Sequence, residues 1–292
     1  MKAPRNVHDG STQPPRLAVY GNTWGLLELP KLPRSREWSF EEKLDRLVEA
    51  GFHGLQAGPG EAEQIRASGL RYCSSGRINL PADADHAVKE AAHVGADCLT
   101  VHAGWGMETD AEIDALVGAI LNASEKHRCP VYIETHRATL AQDIFRIVEL
   151  TKRIPEVRFN GDFSHLYCGQ EMGYRGFATT RHYVTPILQR TSFFHGRISD
   201  GQCMQSDVGD GRENVHARNF QSLWEEAMGY WLKDAKPGDI LPFTPELGPP
   251  SSGYSITQRD ITGTVVELSD RWQQSLVLKR LAEEAFTAAL QA

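Results

Sequence analysis

Short runs of β-forming, mostly apolar residues alternate along this chain with longer stretches whose apolar positions recur every three or four residues. The first run, LAVYGN, begins at Leu17 and ends in Gly-Asn. After a loop holding Pro30 and Pro33, Ser39 has the place of a helix N-cap, with Glu42 three residues on. The segment FEEKLDRLVEAG then sets Phe40, Leu44, Leu47 and Val48 on one helical face and stops at Gly51. This is one strand-helix unit.

The unit recurs. FHGLQAG is followed by EAEQIRAS, LRYCSSG by ADADHAVKEAAHVG, and DCLTVHAG by a helix from Asp110 to about Lys126 whose apolar face is Ile113, Leu116, Val117, Ile120 and Leu121. PVYIETH precedes TLAQDIFRIVELTKRI, and VRFNGDFS precedes a helical stretch near His182 to Arg190. TSFFHGRIS leads to a helix over about Ala217 to Leu232, and GDILPFTPEL to a last helix over about Asp270 to Ala289. Eight such alternations predict an α/β fold, a single-domain (β/α)8 TIM barrel closed by parallel strands, rather than an open doubly wound sheet. The barrel is expected over residues 16–292. Residues 1–15 are polar and rich in Gly, Ser and Pro, and are expected to form a flexible lead-in. The long polar loop after the seventh strand, about 201–215, is expected to help build the mouth of the barrel, where the loops at strand C-termini gather.

Composition narrows the class. A chain of 292 residues, 40% hydrophobic and 24% charged, is globular and long enough to bury one large core. Its net charge of −7 argues against nucleic acid as a partner. The five cysteines are scattered, with no CxxC pair, which argues against a disulfide framework or a structural zinc site and suggests reduced thiols in a cytoplasmic protein. No apolar run reaches the ~20 residues of a membrane helix, so no membrane association is expected.

The chemistry is concentrated at the ends of the last four strands. VYIETHR ends in Glu134, RFNGDFSHLYC carries Asp162 and His165, SFFHGRISD carries His195 and Arg197, and ILPFTPELGPP carries Glu246. In a parallel barrel these ends surround one mouth, so Glu134, Asp162, His195 and Glu246 are candidates to share a divalent cation. Oxygen-rich ligation with one imidazole suits Mn²⁺, Mg²⁺ or Co²⁺ and also admits Zn²⁺. Arg197 has no lone pair for a metal and lies two residues after His195, on the same side of its strand. A guanidinium there suits a substrate carboxylate, phosphate or developing enolate oxygen; its alternative is a scaffold pair with Asp200, Asp207 or Glu246. His102 in TVHAGWG could touch substrate or simply hydrogen-bond in the barrel mouth, and Trp24, Trp105 and Phe163, near strand ends, are an apolar wall for substrate or else core.

The order Glu, Asp-x-x-His, His, Glu, here Glu134, Asp162-Phe-Ser-His165, His195 and Glu246, resembles the xylose-isomerase-like TIM barrels. That group includes ketose 3-epimerases, inosose dehydratases and hydroxypyruvate isomerases, with endonuclease IV a distant relative. The resemblance covers about Leu17 to the C-terminus. It implies that Glu134, Asp162, His195 and Glu246 bind the metal and that Glu134 and Glu246 face opposite sides of the substrate as catalytic acid and base. It also implies that His165 contacts substrate and that the protein is an isomerase or epimerase of carbohydrate metabolism, commonly a homodimer or homotetramer. Two departures stand out. Many relatives have their ligand histidine where this chain has Arg197, and the glutamate that ketose epimerases place shortly after the first metal glutamate is replaced by His136 and Arg137. The expected reaction is proton transfer next to the carbonyl of a sugar or sugar-derived ketone through a metal-stabilised enediolate. Elimination from a keto-sugar or keto-glycoside is the alternative that the same enolate chemistry allows, and a small-molecule carbohydrate is the expected partner.

Overall fold

In a computed structural model of the protein, residues 3–31, 36–174 and 176–292 are described, so Pro33 lies outside them. After a two-residue β1 (Val7–His8) come β2 (Arg16–Asn22), β3 (Gly54–Ala57), β4 (Arg71–Ile78), β5 (Leu99–Ala103), β6 (Val131–Glu134), β7 (Phe159–Asp162), β8 (Thr191–Gly196) and β9 (Asp239–Pro245). From β2 to β9 each strand pairs in parallel with the next. β9 also pairs in parallel with β2, which closes the barrel. The eight strands are those the alternation predicts.

The outer helices are α1 (Phe40–Glu49), α2 (Ala62–Ala67), α3 (Ala84–His93), α4 (Asp110–His127), α5 (Ile144–Arg153), α6 (Phe163–Gly169), α7 (Phe177–Thr180), α8 (Thr185–Leu188), α9 (Val215–Asp234) and α10 (Arg271–Gln291). Ser39 caps α1 as expected: its hydroxyl accepts from the Glu42 N–H, and the Glu42 carboxylate accepts from the Ser39 N–H. The helix expected near His182 to Arg190 is broken into a 3₁₀ turn, Arg181–Val184, and the single turn of α8. Pro186 sits at the start of that turn, where a missing N–H costs nothing. A short antiparallel hairpin, β10 (Thr257–Arg259) with β11 (Val265–Glu267), stands between β9 and α10 and was not expected; its first strand is fully exposed and has no buried face to leave an alternating pattern.

The core has two shells. Outside the strands, apolar residues such as Leu47, Ile65, Val117, Ile147 and Trp224 pack the helices onto the barrel. Inside its lower half, Ala18, Tyr20, Cys73, Cys98, Tyr132, Phe193 and Ile240 form a plug. Val7 belongs to that plug, which corrects the expectation of a flexible lead-in. Val7 and His8 pair antiparallel with Ile240 and Asp239 of β9. The Tyr132 hydroxyl donates to the Arg5 carbonyl at 3.1 Å, and the Trp231 indole to Asn6 Oδ1 at 2.9 Å. Buried apolar area and hydrogen bonds thus offset the ordering entropy of a segment whose overall composition is polar.

The loop after β8 does not hang in solvent either. Gln205 is buried, and its side chain both donates to the Gly248 carbonyl and accepts from the Gly248 N–H. Ser255 donates to Glu267, which pairs with the buried Arg271, and Arg271 reaches back to the carbonyls of Gly25 and Leu27. The loop after β8 therefore braces the loop after β9 at the mouth.

Candidate metal centre and active site

Strand register brings the predicted cluster together. Asp162 of β7 lies opposite His195 of β8, His195 lies opposite Thr244 of β9, and the Glu246 N–H donates to the Gly196 carbonyl. Glu134 ends β6 opposite Asn160. One ligand atom from each of Glu134, Asp162, His195 and Glu246 can be chosen so that all four lie within 4.8 Å of one another, and all four residues are buried. His195 Nδ1 faces Glu246 Oε2 at 3.2 Å and Glu134 Oε2 at 3.4 Å.

These residues fit a divalent cation. Asp162 Oδ2 and His195 Nδ1 are buried yet lack a hydrogen-bond partner, a cost that a ligand lone pair pointed at a cation avoids. Three carboxylates meet one guanidinium, Arg197, leaving negative charge for such an ion to balance. The imidazole is also held in a ligating tautomer. His195 Nε2 lies 3.0 Å from Gln56 Oε1, which is fixed as an acceptor because Asn22 Nδ2 also donates to it and Gln56 Nε2 donates to Thr100. Nε2 therefore carries the proton, and Nδ1 keeps its lone pair. Gln56→Met is expected to weaken Mn²⁺ binding by about 10–100-fold, measured by calorimetric titration; unchanged affinity would show that Gln56 does not set the tautomer.

Without metal the cluster holds protons instead. Burial opposes a charge on His195, but Glu246 and Glu134 outweigh it and raise its pKa to about 10. Burial raises the Asp162 pKa to about 6, against Arg197. Burial pushes the two glutamates up, yet both end below their ordinary value, Glu134 because of His195 and His102 and Glu246 because of His195 and Arg197. The raised His195 pKa contributes stability that is fully present below 6.5 and is lost as pH rises through about 10. Protein kept in chelator should therefore show a falling urea midpoint over that window, whereas saturating Mn²⁺, which takes the proton's place, should flatten the profile. A flat profile in chelator would contradict the protonated His195.

Arg197 is 1% exposed and sits among the proposed ligands. Its Nη2 donates to Glu246 Oε2, its Nε donates to the Glu246 carbonyl at 2.9 Å, and its Nη1 lies 3.4 Å from Asp162 Oδ2. Of the scaffold pairs considered from sequence, the one with Glu246 is present. The guanidinium carbon is 4.7 Å from the centre of the Tyr254 ring and 5.7 Å from that of Trp24, which meet edge to face. Gly248 makes this wall possible, since a Cβ there would come within 2.4 Å of Trp24 and 2.6 Å of the Tyr254 Cβ.

A cavity of about 610 Å³ opens over the cluster, lined by Trp24, Tyr254, His102, His136 and Arg197 among others, a size that encloses a whole small ligand. His102 Nε2 is 3.3 Å from Glu134 Oε1; burial disfavours its charge, but Glu134 prevails and raises its pKa. His136 packs between His102 and His165 with ring centres 4.1 and 3.9 Å away, and burial lowers its pKa to about 4. His165 is farther from the substrate space than expected: its side chain is wholly buried behind His136, 3.5 Å from Asp162 Oδ2, and does not line the cavity. Trp105 does not line it either; it stands at the rim, 59% exposed, with the Arg77 guanidinium 4.7 Å from its ring centre. Phe163 is core, edge to face with Phe194. Sequence reasoning passed over Gln56, Arg77 and Tyr254. Gln56 did carry a signal, a lone amide at the end of an apolar strand, but Tyr254 comes from an irregular loop without one.

A closed parallel barrel with an acidic, imidazole-bearing mouth has the fold of the xylose-isomerase-like TIM barrels. No family model matches the sequence, and no curated protein matches it. Solved structures do. L-ribulose 3-epimerase aligns at a TM-score of 0.57 and 12% identity over 94% of this chain and 96% of its own. A xylose isomerase-like TIM barrel protein from Mycobacterium smegmatis, solved in complex with magnesium, aligns at 0.53 and 13% over 92% and 98%. The probable 3-DHS dehydratase AsbF of Bacillus anthracis aligns at 0.52 and 15% over 82% and 95%. Among the described residues no helix is long and apolar enough to cross a membrane.

Proposed function

We propose that this protein is a divalent-metal-dependent isomerase or epimerase of a sugar or sugar-derived ketone, working by proton transfer next to the carbonyl. The observation that carries this reading is the convergence at the barrel mouth of two buried glutamates, one imidazole and an aspartate whose Oδ2 lacks a hydrogen-bond partner. Glu134, Asp162, His195 and Glu246 would hold the cation, and Mn²⁺, Mg²⁺ and Co²⁺ suit this donor set; the magnesium-bound structural neighbour supports that choice. When bound, the cation polarises the carbonyl and acidifies the adjacent C–H. One of Glu134 and Glu246, ionised, would take the proton from the carbon next to the carbonyl, and the other, protonated, would return one from the opposite side. Arg197 offers Nη1 to a developing oxyanion. Trp24 and Tyr254 form the apolar wall against which a sugar face packs.

A second reading, elimination by a lyase or dehydratase, is favoured by His102, which lines the cavity in contact with Glu134. Proton loss next to the carbonyl would form the new double bond as the β C–O bond breaks, and His102 would give its proton to the departing oxygen. Incubation of ketoses and keto-glycosides with Mn²⁺-loaded protein in D₂O should put deuterium next to the carbonyl. Deuterated epimers support the first reading and unsaturated products, whose carbon next to the carbonyl need take up no deuterium, the second, while epimers free of deuterium would overturn the first and the absence of any unsaturated product the second.

A further inference from the structure

The ligand-bearing strands β6 to β9 occupy one half of the mouth, yet the cavity continues across the ends of β2 to β5. This second half carries neutral hydrogen-bonding groups and one cation, Arg77, but no carboxylate. Thr23 and Ser75 line it, and Ser75, Gly76 and Arg77 are exposed although they lie within β4. The reason is a mismatch in strand length: pairing of β3 with β4 stops at Ala57 opposite Ser74, whereas β4 runs on beside β5 to Ile78 opposite Ala103. The edge of residues 75–78 that faces β3 therefore has no strand to pair with, leaving backbone N–H and C=O groups at the cavity. Gly76 adds no side chain to this shelf. Beyond it stands the exposed indole of Trp105, backed by Arg77. His102, whose strand partner is Arg77, lies between this shelf and Glu134.

A shelf of hydroxyl and backbone groups ending in an aromatic face, without carboxylates, suits a second ring rather than a second cation. We propose that the substrate is a keto-sugar carrying a second ring, sugar or aryl, through a glycosidic oxygen, with the carbonyl-bearing ring over β6 to β9 and the second ring on the β4 shelf against Trp105. This rests on the reading of the carboxylate centre as a keto-sugar site. It places the glycosidic oxygen near His102, where the elimination reading needs its proton donor.

Binding can be measured apart from turnover. Mn²⁺-loaded protein is titrated calorimetrically with the phenyl and methyl glycosides of glucose, galactose and xylose in both anomers. At least one phenyl glycoside should bind about tenfold tighter than its methyl counterpart, and that advantage should shrink to about threefold or less in Trp105→Ala, whose exposed side chain supports no core packing. Equal affinities, no binding by any of the panel, or an advantage that survives Trp105→Ala would overturn the proposal. A phenyl preference without deuterium exchange into any ketose would sink the proton-transfer reading and leave the shelf in place; exchange without the preference would do the reverse.

Discussion

Glu134→Gln is expected to slow solvent-deuterium exchange at the substrate carbon next to the carbonyl by about 10²–10⁴-fold at saturating Mn²⁺. The substitution keeps the side chain's size and its place opposite Asn160, but removes the negative charge that faces His195 and His102. Two losses coincide: a proton acceptor disappears, and a neutral amide oxygen is a weaker ligand than a carboxylate. Saturating metal separates them, because the ligand loss shows in metal affinity and the lost base in the exchange rate. Exchange at the wild-type rate would leave Glu246 as the sole base and end the two-glutamate scheme. Glu246→Gln makes the matching control, since Arg197 Nε still has the backbone carbonyl of residue 246 to hold.

Arg197→Met should act in opposite directions on the two forms of the protein. In chelator, the change removes the one guanidinium among three buried carboxylates, and breaking a buried pair of this kind costs about 3–5 kcal/mol. With metal the sign reverses, because Arg197 reaches the same Asp162 and Glu246 oxygens that a cation would use and repels that cation as well. Mn²⁺ should thus bind the variant about tenfold tighter or more, and recover much of the lost stability. Urea unfolding in chelator and in Mn²⁺, with a calorimetric titration, measures both effects. A variant as stable as wild type in chelator, or one that binds Mn²⁺ more weakly, would show that Arg197 positions the ligands instead of competing for them.

Sequence periodicity was enough to read all eight barrel strands, because each is bounded by turn residues and followed by a run of helical period. The four proposed ligands were legible for a related reason: one polar side chain at a strand end is most often a surface or capping group, but four at equivalent places on consecutive strands are brought together by parallel closure. What could not be read depends on contacts between distant segments. The order of the lead-in comes from Val7, a single apolar residue that finds β9 more than two hundred positions later. The withdrawal of His165 behind His136 depends on how three imidazole rings pack, which no spacing encodes. Tyr254 reaches Arg197 from a loop braced by Gln205, and neither residue lies in a repeating pattern.

The stitching of the lead-in to β9 also bears on the order in which this molecule can be completed. A nascent chain stopped before Asp239 has β2 with an open edge, Val7 without its partner strand, and Asn6 without the carboxylate of Asp239. Both ends of the barrel must therefore wait for the same late segment, a high-contact-order closure that leaves strand edges exposed during synthesis. Glu246 follows directly behind that segment, so the stretch of chain that seals the barrel floor also delivers the last proposed ligand to its mouth.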